Sequence, residues 1–124
     1  MDPIADMLVT IKNGYMAKKL HVSLPYSNFK FEIVKVLEKE KFVGKVNKKD
    51  TSLEIELLYN GKEAKIDHIR KISKLGRRVY FKSKQIHSLK GGRGTQIIST
   101  PQGVMAAQEA KKKKLGGEVI CEVW

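Results

Sequence analysis

The chain has one cysteine, Cys121, in 124 residues, so no internal disulfide can staple it. No apolar run approaches the ~20 residues that span a bilayer. The opening Met1-Asp2-Pro3-Ile4 has neither the basic nor the apolar segment of a signal peptide. These three absences point to a reducing, cytoplasmic setting. Reactive chemistry is as scarce. His21, His68 and His87 are scattered in no metal-ligand spacing and read as surface or strand histidines. Cys121 falls in an apolar stretch and reads as a small core residue rather than a nucleophile. No acidic pair is spaced for general acid–base work. The glycines of Gly91-Gly92-Arg93-Gly94 lack a following Gly-Lys-Ser/Thr and precede a strand rather than a helix, which excludes a P-loop. The sequence therefore proposes no enzyme site, no metal and no cofactor. It has no internal repeat and no low-complexity linker.

Acidic residues are also few: 13 against 25 Lys and Arg, a net charge of +12 and a pI near 9.8. The imbalance is lopsided. Residues 1–64 hold 11 basic and 9 acidic side chains, whereas residues 65–124 hold 14 and 4. Such a surplus repels itself in a folded domain and suits a surface that meets polyanions. Nucleic acid is the polyanion this favours, because neutralised phosphates release counterions. A membrane surface would need a strongly amphipathic helix. The nearest segment, 104–114, ends in four lysines but offers only Val104, Met105 and three alanines as an apolar face.

What is present writes an α+β fold. Asp2 is a good N-cap and Pro3 suits the first helical position. Ile4, Met7, Leu8 and Ile11 then form one apolar face, and Asn13-Gly14 is expected to end the helix. Leu20, Val22 and Leu24 alternate as a strand that Pro25 stops. Ser27 or Asn28 caps a second helix to about Lys41, with Phe29, Ile33, Val36 and Leu37 buried. Phe42–Val46 reads as a strand. Leu53, Ile55 and Leu57 mark another, and Asn60-Gly61 signals a hairpin. Its return strand is expected from Lys62 through Ile66, extending towards Ile72. The first subdomain, 1–72, is thus α-β-α-β-β. A break at Ser73-Lys74-Leu75-Gly76 opens a mainly β subdomain, 73–124. It holds a short strand around Tyr80, a strand Thr95–Ser99, a turn Pro101-Gln102-Gly103 and a helix Val104–Lys114 closed by Gly116-Gly117. A last strand, Val119–Trp124, puts Val119, Cys121 and Val123 on one face.

Two places in this second half suit binding. Ser99-Thr100-Pro101-Gln102-Gly103 is expected to join a strand to a helix, where N–H groups and hydroxyls converge; it either caps that helix or meets phosphate and base edges. Tyr80, beside Arg77, Arg78 and Lys82, either stacks on an unpaired base or faces the core. The run Lys111–Lys114 adds long-range attraction rather than specificity.

Three segments carry a resemblance: Asp2-Pro3-Ile4-Ala5-Asp6-Met7, then Ile98-Ser99-Thr100-x-x-Gly103-Val104-Met105, then Gly116-Gly117-Glu118-Val119-Ile120-Cys121-x-Val123-Trp124. In order and spacing they closely resemble the bacterial family of ribosomal protein eight of the small subunit, across essentially the whole chain. The resemblance implies an N-terminal α/β subdomain and a mainly β C-terminal one. It implies direct binding to the central domain of 16S rRNA, at an irregular helix with unpaired bases in its minor groove, and a part in assembling the platform region. It also implies neighbouring small-subunit proteins as partners, protein five among them, and repression of the chain's own operon through a similar structure in its mRNA. By motif, RNA contacts fall on Ser99 and Thr100 with Gly103 shaping their loop, on Gly116, Gly117 and Glu118, and on Tyr80. The cations Arg77, Arg78, Arg93, Lys12 and Lys30 complete the candidate set. Glu118 is expected to accept from a base amino group or brace the Ser-Thr loop.

The chain departs from the family pattern in three places. Pro101 and Gln102 replace a serine and a lysine, removing a hydroxyl and a charge while stiffening the loop. Lys74-Leu75-Gly76 stands for Lys-Pro-Gly, and Gly92-Arg93-Gly94 for Gly-Leu-Gly. Two other classes stay in view: a general nucleic-acid-compacting module, which would bind duplex DNA as well as RNA, and a small enzyme using Cys121.

Overall fold

The computed structural model describes residues 2–74, 76–86 and 94–124, and the chain forms two compact units, Met1–Asp67 and His68–Trp124. In the first, helix α1 (Pro3–Met16) starts as its sequence dictates: Asp2 Oδ1 accepts from the N–H groups of Ile4 (3.0 Å) and Ala5 (3.2 Å). Met7, Leu8 and Ile11 are buried. The helix does not stop at Asn13-Gly14. Gly14 is an interior residue pressed on the sheet, where an added Cβ would lie 2.5 Å from Val22 Cγ1 and 3.0 Å from Leu57 Cδ1. Beyond it Tyr15 is buried; its hydroxyl donates to the Phe42 carbonyl (2.7 Å) and accepts from Leu58 N–H (3.1 Å). The real stop is Lys18, at φ 56°, with Lys19 N–H returning to the Gly14 carbonyl at 2.9 Å.

Helix α2 (Asn28–Lys39) is capped by Ser27, whose Oγ accepts from Lys30 N–H at 3.2 Å. Ile33, Val34, Val36 and Leu37 are its buried residues. Phe29, expected among them, is exposed: it sits in the first turn, and the buried stripe begins one turn later with Ile33 and Val34. Both helices cover one face of a three-stranded antiparallel sheet ordered β1 (His21–Pro25), β3 (Ser52–Leu57), β2 (Val43–Lys49). Val22, Leu24, Val43, Val46, Leu53, Ile55 and Leu57 form the buried face. Leu20 precedes β1 and is 73% exposed, although its carbonyl accepts from Leu57 N–H.

The Asn60-Gly61 hairpin is present but short, pairing β4 (Tyr59–Asn60) with β5 (Glu63–Ala64) around Gly61 at φ 68°. The return strand stops there. Residues Ile69–Lys71 form β6, which pairs with the last strand of the second unit, so the units divide after Asp67 rather than after Ile72.

The second unit is a five-stranded sheet. Its centre is β10 (Gly117–Val123), flanked by β8 (Thr95–Thr100) on one side and by β6 and β7 (Tyr80–Phe81) on the other; β9 (Gly103–Ala106) lies beyond β8. A register shift between Val119 and Cys121 marks a bulge, and Val119 through Val123 are all buried. The expected helix Val104–Lys114 is only α3, Ala107–Lys112. Its first residues belong to β9, because Gly103 at φ 118° turns the chain straight back on β8 in a hairpin that pairs Ile98 with Met105. Ile98, Met105, Ala107, Ala110 and Ile86 make the core on that face, with Phe81 and Leu115 packed against them.

Candidate nucleic-acid interface

Strand pairing places three of the predicted residues, Tyr80, Glu118 and Ser99, in a line. Glu118 of β10 is paired on one side with Tyr80 of β7 and on the other with Ser99 of β8, which is itself paired with Val104 of β9. Directly opposed residues of antiparallel strands share a face. Tyr80, Glu118, Ser99 and Val104 therefore run side by side across four strands. The neighbouring residues Phe81, Ile98 and Met105 instead pack into the core, Ile98 being paired with Val119 on one side and Met105 on the other. Tyr80 is 66% exposed, which places its ring outside the core and free to stack. Ser99, Glu118 and Val104 are half-buried.

The glycines are required by the sheet itself. A Cβ on Gly117 would lie 2.1 Å from the Ser99 carbonyl oxygen, and one on Gly116 would lie 2.5 Å from the Phe81 carbonyl. Gly-Gly thus lets β10 approach the backbones of β8 and β7, which closes the row. The Ser99–Gly103 segment is a hairpin turn rather than a strand-to-helix junction, so no helix N-terminus lies behind it. Thr100 Oγ1 donates to the Gly103 carbonyl (2.8 Å) and accepts from Gln102 N–H (3.1 Å). Its hydroxyl shapes the turn, while Ser99 stands in the row; Pro101 and Gln102 are exposed at the tip.

Glu118 is held by Arg78, whose Nη1 donates to Oε2 at 3.1 Å; the side chains are 48% and 19% exposed for Arg78 and Glu118. The other two acidic side chains of this unit are engaged as well, Glu122 by Arg70 at 2.7 Å and Glu109 by Lys113 at 3.3 Å. Acidic side chains are thus matched with cations on a unit carrying 13 Lys and Arg against 3 Glu. Arg77 is exposed, its backbone exchanging two hydrogen bonds with Lys74. Lys12 and Lys30 belong to the other unit. Lys12 is exposed on α1, and Lys30 Nζ donates to the Pro25 carbonyl at 3.2 Å. Arg93 and His87 lie outside the described residues, as do Gly91 and Gly92.

Sequence reasoning missed Val104 as a member of the row, because its place was expected in a helix; the alternation of Val104 with the buried Met105 was the available signal. It also treated Arg78 as a phosphate-facing cation, and only strand register reveals its carboxylate partner. A shallow groove of about 380 Å³ on the first unit, lined by Leu20, His21, Lys45, Asn47 and Glu54 among others, holds none of the predicted residues. Burial pushes the Cys121 thiol up to about 12, with Lys71 pulling it partly back. A buried, protonated thiol is no nucleophile. No group of three His, Cys, Asp or Glu is placed to hold a metal ion, and no helix is long and apolar enough to cross a membrane, among the described residues.

Residues 2–124 match the family described as "Ribosomal protein S8". The chain is similar to the small ribosomal subunit protein uS8 of Petrotoga mobilis, with 43% identity over 131 residues, covering 99% of this chain and 98% of that protein. It is similar to the uS8 of Mycoplasmopsis agalactiae at 43% identity, covering 99% and 97%. The uS8 of Thermus aquaticus shares 42%, covering 99% and 98%.

Proposed function

The chain belongs to the ribosomal protein S8 family, and from that premise we propose that its second unit is the part that recognises ribosomal RNA. The protein is a structural, non-enzymatic constituent of the small ribosomal subunit. Its RNA target is the central domain of 16S rRNA, where it helps assemble the platform region. One observation carries the proposal: Tyr80, Glu118 and Ser99 stand side by side on one open face of the sheet.

Each group in that row suits a shallow, irregular RNA minor groove. Tyr80 offers a ring to an unstacked base. Ser99 offers a hydroxyl that both donates and accepts, as a ribose 2′-OH does. Glu118 offers a carboxylate oxygen to a base amino group, a contact that phosphate would repel. The surrounding Lys and Arg supply salt-dependent attraction without sequence information. The same face recognises a similar structure in the operon's mRNA, and so represses its translation. Neighbouring small-subunit proteins, protein five among them, complete the set of partners.

The test is binding of the full chain, at moderate salt, to a central-domain rRNA fragment, an unrelated RNA hairpin of equal length and duplex DNA. The expected preference for the rRNA fragment is a hundredfold or more, about 2.7 kcal/mol. Equal binding to all three would leave only the compacting module and overturn the proposal.

A further inference from the structure

We infer that Arg78 acts through Glu118, as a positioning residue that fixes the carboxylate for base recognition, rather than as a phosphate contact; this rests on the RNA-binding reading above. Arg78 lies two residues before Tyr80, just ahead of β7. Because Tyr80 is paired with Glu118, the segment that precedes Tyr80 brings Arg78 within reach of that carboxylate. The 3.1 Å contact between Nη1 and Oε2 uses that reach.

The backbone that presents Arg78 is held from both sides. Arg77 and Lys74 exchange N–H to carbonyl bonds at 2.9 and 3.0 Å. Val79 N–H donates to the Oγ of Ser73 (3.0 Å), which is buried and donates in turn to the Val79 carbonyl (3.3 Å). Val79 also accepts from Val119 N–H at 2.8 Å, which locks this segment to β10 one residue past Glu118. A guanidinium on so fixed a backbone, beside a carboxylate only 19% exposed, is arranged for a set geometry.

Two consequences follow from charge. A carboxylate facing RNA without a partner would repel the phosphates on either side of its base, and Arg78 cancels that repulsion. A glutamate left to itself samples several rotamers, and one pinned at Oε2 presents Oε1 in one direction. The pair is therefore a specificity element, whereas Arg77, one residue away and exposed, is a salt-sensitive phosphate contact.

The experiment is a double-mutant cycle on the full chain, using Arg78→Met, Glu118→Gln and the double variant, with Arg77→Met as comparison. Each is titrated with the central-domain rRNA fragment and the unrelated hairpin across a range of salt, and thermal unfolding confirms that each variant folds. Arg78→Met is expected to lower the rRNA preference at least tenfold while leaving the salt slope near the wild-type value. The double variant is expected to be no worse than the poorer single variant. Arg77→Met is expected to weaken both RNAs alike and to reduce the number of released counterions by about one. Equal losses on both RNAs with a shallower salt slope for Arg78→Met, or additive losses in the double variant, would overturn the inference. Should Arg78→Met fail to fold, Glu118→Gln in the wild-type background still decides: an unchanged rRNA preference would overturn it. Lack of any preference in the unmodified chain is a separate outcome, which would count against the proposed function itself.

Discussion

Ser99 and Thr100 are adjacent, chemically alike, and set to different tasks by their strand positions. Ser99 stands opposite Glu118, whereas the Thr100 hydroxyl is used twice within its own turn. Ser99→Ala is expected to lower the rRNA preference at least tenfold while changing stability by less than about 0.5 kcal/mol. Thr100→Ala is expected to cost about 1 kcal/mol of stability through the lost turn bonds. Denaturant unfolding beside RNA titration separates the two effects, and equal behaviour of both variants would contradict the division. Cys121 offers a residue-scale test of burial. Its thiol is raised from an ordinary value of 9.0 to about 12. Below pH 9 the thiol is protonated whether the chain is folded or not; above it the unfolded chain loses the proton first. Stability should therefore fall as pH rises from 9 towards 12, by up to about 1.4 kcal/mol per unit from this group. The fall in wild type minus that in Cys121→Ala, followed by denaturant unfolding between pH 8 and 10.5, isolates it; parallel curves would refute the assignment.

At the scale of elements, the helix stops are the instructive case. Glycines at 14 and 116 look like terminators, yet neither residue is one. The three α-helices among the described residues end on lysines in the left-handed region, Lys18 (φ 56°), Lys41 (φ 64°) and Lys114 (φ 57°). Each is followed by a return hydrogen bond: Lys19 to Gly14, Phe42 to Leu37 and Leu115 to Ala110. A lysine there favours the negative end of the helix, but its Cβ is strained in that conformation. Lys18→Gly is expected to stabilise the protein by about 0.5–1 kcal/mol. Gly14→Ala, by contrast, would drive a methyl group into Val22 and Leu57 and should cost about 1–3 kcal/mol. Thermal unfolding of both variants checks the pair of signs. Helix starts were legible because Asp2-Pro3 and Ser27 act locally. The stops were not, because a glycine serves equally as a terminator or as a point of close packing, and only the facing strand distinguishes them. The same ambiguity hid β9. Val104–Ala106 suits a helix or a strand, and the turn at Gly103 decides.

For the molecule as a whole, charge is unequally divided, and this has a thermodynamic signature. The second unit carries 13 basic side chains against 3 acidic ones, and each of those three is engaged by a cation. Binding to arbitrary RNA should therefore weaken steeply with salt, while the preference for the rRNA fragment changes little. Lys112→Ala is expected to make that salt slope slightly shallower and leave the preference alone, which titrations at several salt concentrations would reveal. A loss of preference would mean that the Lys111–Lys114 run reads the RNA and does more than attract it.

Much of this protein is decided by the chain alone. Composition and charge sufficed to point to a polyanion. Apolar periodicity sufficed to locate α1, α2 and the three strands of the first sheet, though not their ends or every buried position, since burial of a stripe depends on spacing that any reader can count. The motif residues at 99–103 and 116–118 were visible as well. What the sequence could not contain is register. Ser99, Tyr80 and Glu118 lie 19 and 38 residues apart from the first of them, Tyr80, and no local rule sets them in one row. Long-range pairing does so, through a central strand whose two glycines admit its neighbours and whose glutamate then meets Arg78. Side-chain partnership across strands depends on which residues stand opposite one another, and that is a property of the folded sheet.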